Sequence, residues 1–171
     1  LAAARHLHNW GAYVQLLLSR PAIRLQGAPE RELQTLALLQ LPRSVGRPQE
    51  TWRFPDLIVD GLVGYGLSGA PEGPLAGLIE WANGQKKPIL ALDIPSGLDA
   101  TTGEARKPTI EAAATMTLGL PKTGLLVDAA KPFVGELYLA DIGIPPEVYA
   151  HPSGGVRVGP LFAGSEVIRI N

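Results

Sequence analysis

Cysteine is absent from the 171 residues of this chain. That excludes disulfides, thiolate metal sites and thiol nucleophiles together, and it fits the expected setting, intracellular and cytoplasmic. An excess of either charge is also missing. Fifteen basic against sixteen acidic side chains leave a formal charge of -1, so no long-range field draws in nucleic acid or an anionic membrane. Aromatic residues make up only 6% of the chain, too few for a platform on which bases stack. Long apolar runs are lacking as well: "LALLQL" is among the longest, far short of the roughly 20 residues a spanning helix needs. The opening "LAAARHLHNWG" has neither the charged start nor the cleavage site of a signal peptide. It reads as a helix already under way, with the expectation that an upstream segment precedes it.

What is present is a composition of 46% hydrophobic and 18% charged residues, enough to bury one substantial core. After the first helix, with Gly11 as its stop signal, "AYVQLLL" predicts a buried strand. "ERELQTLALLQL" puts Leu33, Leu36 and Ala37 on one face and predicts a second helix ending before Pro42. "PRSVGRPQETWRFP" reads as a polar connection. Next come a strand in "DLIVDGLV", a glycine-rich loop, a helix over "GPLAGLIEWANG" and a strand in "KPILALD". A long loop, "IPSGLDATTGEARKP", leads to a strand in "AAATMTLG", a short helix after "PKTGLLVDAA" and a last strand in "GELYLADIGI". This alternation predicts an α/β fold, a doubly wound, Rossmann-like three-layer sandwich with a mostly parallel central sheet. Its domain is expected over residues 1–149, with 150–171 a tail or the start of a following segment.

Ligands in such sheets sit beyond the carboxyl ends of the strands. One of those ends carries "VGYGLSGAPEGP", in which Gly64, Gly66 and Gly69 have the spacing of a dinucleotide fingerprint. An NAD-dependent dehydrogenase is therefore one reading. The fingerprint, however, needs its glycines to open straight into a helix, and "APEGP" intervenes. Asp60 lies in the apolar strand itself, where a carboxylate is costly unless it is paired or binds a cation. Its alternative role is to cap a turn. "LDIPSGLDATTG" adds Asp93 and Ser96 at the end of a second strand, either as a ligand site or as a turn held by side-chain hydrogen bonds. Lys122, after a third strand, is a site residue or a solvated lysine. Ser68 and Ser96 lack a nucleophile elbow, and the loop lacks the Gly-Lys-Ser/Thr ending of a P-loop. His6 and His8 point to different faces of a helix, which argues against a metal pair.

The ordered set "DLIVDGLVGYGLSGAPEGPLAGLIEWAN", "KPILALDIPSGLDATTG", "ATMTLGLPKTGLL" and "GELYLADIGIPPEVY" resembles the YjeF N-terminal-domain family, the NAD(P)H-hydrate epimerases. The resemblance implies a Rossmann-like fold, a homodimer and a bound potassium ion. It also implies interconversion of the R and S forms of NADHX and NADPHX, the hydrated reduced nicotinamide nucleotides, as part of their repair. Carried onto this chain, it makes Asp60 and Ser96 ligands of the cation. Gly64, Tyr65, Gly66, Leu67, Ser68, Gly69 and Ala70 become a substrate loop, which Asp93 joins. Asp93 and Lys122 take the catalytic roles. The family's Asn-Asn-Gly-Gly-Asp loop before the first helix has no counterpart in this sequence, and Tyr65 is bulkier than the small residue typical of its position. These departures keep a second expectation open, a catalytically impaired binding or scaffolding module.

Overall fold

The computed structural model describes residues 1–171 except 22, 24, 68, 152–154 and 171. The chain divides into two units, Leu1–Phe54 with Glu72–Trp81, and Pro55–Pro71 with Ala82–Asn171.

In the first unit the alanine-rich start forms helix α1, Ala2–Asn9, and Gly11 follows with a φ of 90°, the left-handed turn that glycine adopts without strain. Strand β1 is only Leu16–Leu18, shorter than the expected run from Ala12. Its pairing starts where Leu16 N donates to the Pro42 carbonyl at 2.8 Å, so the earlier residues have no ladder to join. Helix α2 spans Ala28–Leu38 with Pro29 in its first turn, and it buries Leu33 and Leu36, a pair at i and i+3. An Arg5–Glu32 contact of 3.3 Å ties α1 to α2. Gln40 at φ 53° then turns the chain. The polar connection expected here contains strand β2, Arg43–Val45, parallel to β1. Three residues, two of them exposed, present no alternation for a sequence reading to detect. Helix α3, Gly73–Gly84, occupies the expected residues.

The second unit holds five strands in the order β3 (Ile58–Asp60), β4 (Ile89–Leu92), β5 (Ala114–Leu118), β6 (Glu136–Ala140) and β7 (Val167–Arg169). The first four are mutually parallel, and β7 returns antiparallel to β6. The chain therefore has the expected α/β class with a mostly parallel central sheet. The register sets Asp60 opposite Ala91 and Leu92 opposite Met116. Neighbouring carboxyl ends thus lie side by side. Strand β7 falls beyond the expected boundary at 149 and has Leu139 opposite Ile168. Ile94, Leu98, Leu125, Ala130, Val134 and Leu137 form a buried cluster, each large apolar member contributing about 1.5–3 kcal/mol by leaving water. Helix α4 is the short Lys131–Val134, and α5 is Pro146–Ala150.

Candidate active site

Strand β3 stops at Asp60 because its carboxylate turns back to bind the chain that follows. Asp60 Oδ1 accepts from Leu62 N at 3.2 Å and from Ser96 Oγ at 2.7 Å, while Oδ2 accepts from Ser96 N at 2.8 Å. Ser96 Oγ also accepts from Val63 N at 3.0 Å, and the Val63 carbonyl lies 3.1 Å from the same hydroxyl. Asp60 is 3% exposed and Ser96 fully buried. Burial pushes the Asp60 carboxyl above its ordinary value of 3.8, against the opposing pull of its hydrogen bonds from Ser96 and Leu62. The result is a dry cluster of oxygen atoms made by a carboxylate, a hydroxyl and a backbone carbonyl.

Ser96 is held from both sides. Ile94 and Leu98 bracket it in the chain and are anchored in the core cluster. Gly97 has a φ of 99°, and a Cβ there would lie 2.5 Å from the Pro108 carbonyl oxygen, so no other residue fits without displacing backbone. Further along, Asp99 accepts from Thr101 N and Thr102 N at 3.0 and 2.9 Å and faces Arg106 at 3.2 Å. Those bonds, the two backbone ones foremost, hold its carboxyl down at about 2. Asp99 thus builds the turn and takes no part in the cluster. Gly124 closes the loop from the other side: its N–H donates to the Ala100 carbonyl at 2.9 Å, and an added Cβ would meet the backbone of Asp99, Ala100 and Gly103.

Asp93 follows β4 with a φ of 70°, a left-handed conformation that aspartate tolerates better than most residues. The turn carries its carboxylate over the end of β5. There Oδ1 accepts from Lys122 Nζ, from Leu118 N at 3.1 Å and from Thr117 Oγ1 at 3.2 Å. Lys122 Nζ donates as well to the Leu118 carbonyl at 3.1 Å. The two side chains are 27% and 17% exposed, so the pair is reachable from solvent while most of its surface is covered.

Of the predicted residues, the structure therefore brings Asp60 to Ser96 and Asp93 to Lys122 as two bonded pairs, three residues apart along the Asp93–Ser96 segment. The glycine loop is joined to the first pair through Val63. Within it, Leu67 N donates to the Gly64 carbonyl at 3.2 Å, Gly69 takes a φ of 79°, and Tyr65 is exposed. No described atom lies within 4 Å of a Cβ added at Gly64 or Gly66; the surface over both is open. Ala70 ends the loop in an exposed bend, and Ser68 lies outside the described residues. Helix α3 begins only at Gly73, so the glycines do not deliver a helix N-terminus in the manner of a dehydrogenase fingerprint. Among the described residues, no group of three or more His, Cys, Asp or Glu is placed to hold a metal. A cavity of about 320 Å³ lies beyond β5 and β6, bounded by Gly119, Asp141, Tyr149 and Phe162. The predicted residues do not line it.

Sequence reasoning missed Val63, which acts through its backbone and so leaves no trace in a side-chain motif. It also missed Thr117. The signal was present: "ATMTL" places two hydroxyls at the inward positions of a central strand, where apolar residues belong.

The model for the N-terminus of YjeF-related proteins matches residues 1–124. This chain belongs to that family. Among its YjeF relatives is the NAD(P)H-hydrate epimerase of Dehalogenimonas lykanthroporepellens, 39% identical over 166 residues, covering 96% of this chain and 64% of the relative. The epimerase of Rhodopirellula baltica is 36% identical over 149 residues, covering 85% of this chain and 61% of that protein. A bifunctional NAD(P)H-hydrate repair enzyme from Pyrobaculum aerophilum is 38% identical over 151 residues, 85% of this chain but 30% of its own length. The chain thus spans less than two thirds of each of these relatives. The crystal structure of yeast ynu0 shares this fold, with a TM-score of 0.71 over 98% of this chain and 70% of that one, at 20% identity. Among the described residues, no helix is long and apolar enough to cross a membrane.

Proposed function

We propose that this protein epimerises the R and S forms of NADHX and NADPHX, as the names of its relatives indicate for them. The observation that carries the reading is the pairing of Asp93 with Lys122 beside the buried Asp60–Ser96 cluster. An acid–base carboxylate and a fixed loop stand at adjacent strand ends, where a nucleotide is expected to dock.

In the proposed reaction the C6–oxygen bond of the hydrated ring breaks with its electron pair on oxygen. A proton from the Asp93 carboxyl converts the departing hydroxyl to water, and the ring nitrogen's lone pair completes an iminium. Water then adds to either face while Asp93 takes a proton back, so the group is regenerated in each direction. Lys122 anchors the carboxylate. Gly64 through Ala70 lie over the nucleotide, their small residues allowing backbone N–H groups to approach phosphate.

Potassium is proposed as the resident ion. Hard oxygen donors suit it, and Asp60, Ser96 and the Val63 carbonyl would hold it. When bound it supplies positive charge against the desolvated Asp60 carboxylate. The residues proposed to carry the activity are 1–149, with 150–171 a tail whose β7 returns to the same sheet. The proposed working form is a homodimer.

The test is chromatographic separation of the NADHX epimers with the full-length protein, in potassium and in choline chloride. Re-equilibration well above the buffer rate, faster in potassium, is expected. A rate equal to buffer in both salts discards the epimerase and favours a binding module.

A further inference from the structure

Thr115 and Thr117 both face inward from β5 and both are fully buried, yet they spend their hydroxyls differently. Thr115 Oγ1 donates to the Val134 carbonyl at 2.7 Å, a bond that begins and ends in the core. Thr117 Oγ1 is turned to the site, 3.2 Å from Asp93 Oδ1 and 3.3 Å from Lys122 Nζ. An ammonium can only donate, so the Thr117 oxygen must accept from Lys122, and its single proton is left for Asp93. The hydroxyl direction is thereby fixed.

The same carboxylate oxygen, Oδ1, also takes the Leu118 N–H and the Lys122 ammonium. Among the described residues Oδ2 accepts no hydrogen bond. One oxygen of Asp93 is tied down by three donors, and among the described residues the other has none. The left-handed backbone at Asp93 adds to the case. Such a conformation persists where surrounding contacts over-determine it, and these bonds are those contacts.

We propose that Thr117 is a positioning residue, locking Asp93 through Oδ1 so that Oδ2 faces the substrate, and seating the Lys122 ammonium on the same carboxylate. The inference rests on Asp93 being the acid–base group of the proposed epimerisation. Thr117 touches no reacting atom. Its effect reaches the chemistry through the orientation of Asp93, where a displacement of an ångström has large kinetic consequences.

The experiment compares Thr117→Val, which keeps the shape and deletes the hydroxyl, with Thr117→Ser, which keeps the hydroxyl and deletes a methyl. With NADHX, Thr117→Val is expected to lower kcat by about ten- to a hundredfold with little change in KM, whereas Thr117→Ser retains most of the parent's kcat. Parent-level kcat in the valine protein overturns the proposal. Equal losses in both variants overturn it too, because they mark a packing role. A second reading does not need activity: the Leu118 amide, which donates to Asp93 Oδ1, should shift upfield in the NMR spectrum and exchange faster in Thr117→Val but not in Thr117→Ser. An unmoved Leu118 amide in the valine protein rejects the positioning role even if the parent proves inactive on NADHX. Parent inactivity by itself counts against the proposed function and leaves Leu118 to decide about Thr117. Should the valine protein fail to fold, Thr117→Ala against Thr117→Ser gives the same two readings.

Discussion

Asp60 and Asp93 end neighbouring parallel strands, but one is almost fully buried with only neutral donors around it, while the other keeps 27% of its side chain exposed and faces an ammonium. The difference separates two jobs that a carboxylate can do at a strand end. A dry carboxylate held by Ser96 N–H, Ser96 Oγ and Leu62 N–H is costly as an anion, which makes it a place for an external cation or a proton. A mostly covered carboxylate beside Lys122 already has its counter-charge, and in the proposed reaction its second oxygen is the one that exchanges protons. The bonds among Asp60, Val63 and Ser96 tie the start of the glycine loop to the segment that begins at Asp93.

The sharpest way to break this contrast is to neutralise the member that solvent can reach. Asp93→Asn is expected to lower the epimerisation rate by about a hundredfold or more, with the thermal midpoint close to the parent's. A rate near the parent's would move the acid–base role elsewhere. Neutralising the buried member should show in the dependence of stability on potassium. In the parent, potassium in hundredfold excess over its Kd should add about 2–3 kcal/mol of stability. In Asp60→Asn, urea unfolding with and without potassium should give the same midpoint. Persistent potassium stabilisation in that variant would separate the ion from Asp60.

The smallest effect is on pH. The folded-state carboxyl of Asp60 titrates above 3.8, so the native state binds its proton more tightly than the unfolded chain. In potassium-free buffer its contribution to stability is therefore complete below that value and declines as pH rises through the folded-state value. The proposed potassium ion would compete with the proton and flatten the decline, and Asp60→Asn should abolish it. Asp99 has the reverse sign. Held at about 2, it contributes above its unfolded value and loses that contribution as pH falls toward 2. Unfolding series between pH 2 and 8 in the two salts read both slopes. An Asp60 slope indifferent to potassium removes the ion from that cluster.

How much of this the sequence could carry follows from the kind of interaction involved. Alternation of apolar runs with glycine and proline punctuation was enough for β3, α3, β4, β5 and β6, because each carries its own apolar run bounded by such punctuation. Strand β2 could not be read that way, since Arg43–Val45 joins a ladder through its backbone and leaves two of three side chains exposed. Strand β7 had the same defect. Within the site, the placement of Asp60, Asp93 and Ser96 at strand ends was legible from the turns that follow them. Their division into two differently charged pairs was not. That division depends on a left-handed turn at Asp93 and on which strand end each carboxylate crosses, facts of three-dimensional register. Thr117 shows the intermediate case: a polar residue at an inward position is visible in the sequence, but only the direction of its hydroxyl distinguishes it from Thr115.

The backbone crowding at Gly97 and Gly124 has a consequence for anyone who maps this protein by saturation mutagenesis. At both positions every side chain larger than hydrogen collides with main-chain atoms, so the map should be as dark there as at the proposed acid–base aspartate. Intolerance alone will rank structural and chemical positions together. Separating them requires scoring abundance and turnover in parallel: the glycine variants should vanish from the first assay, and Asp93→Asn only from the second.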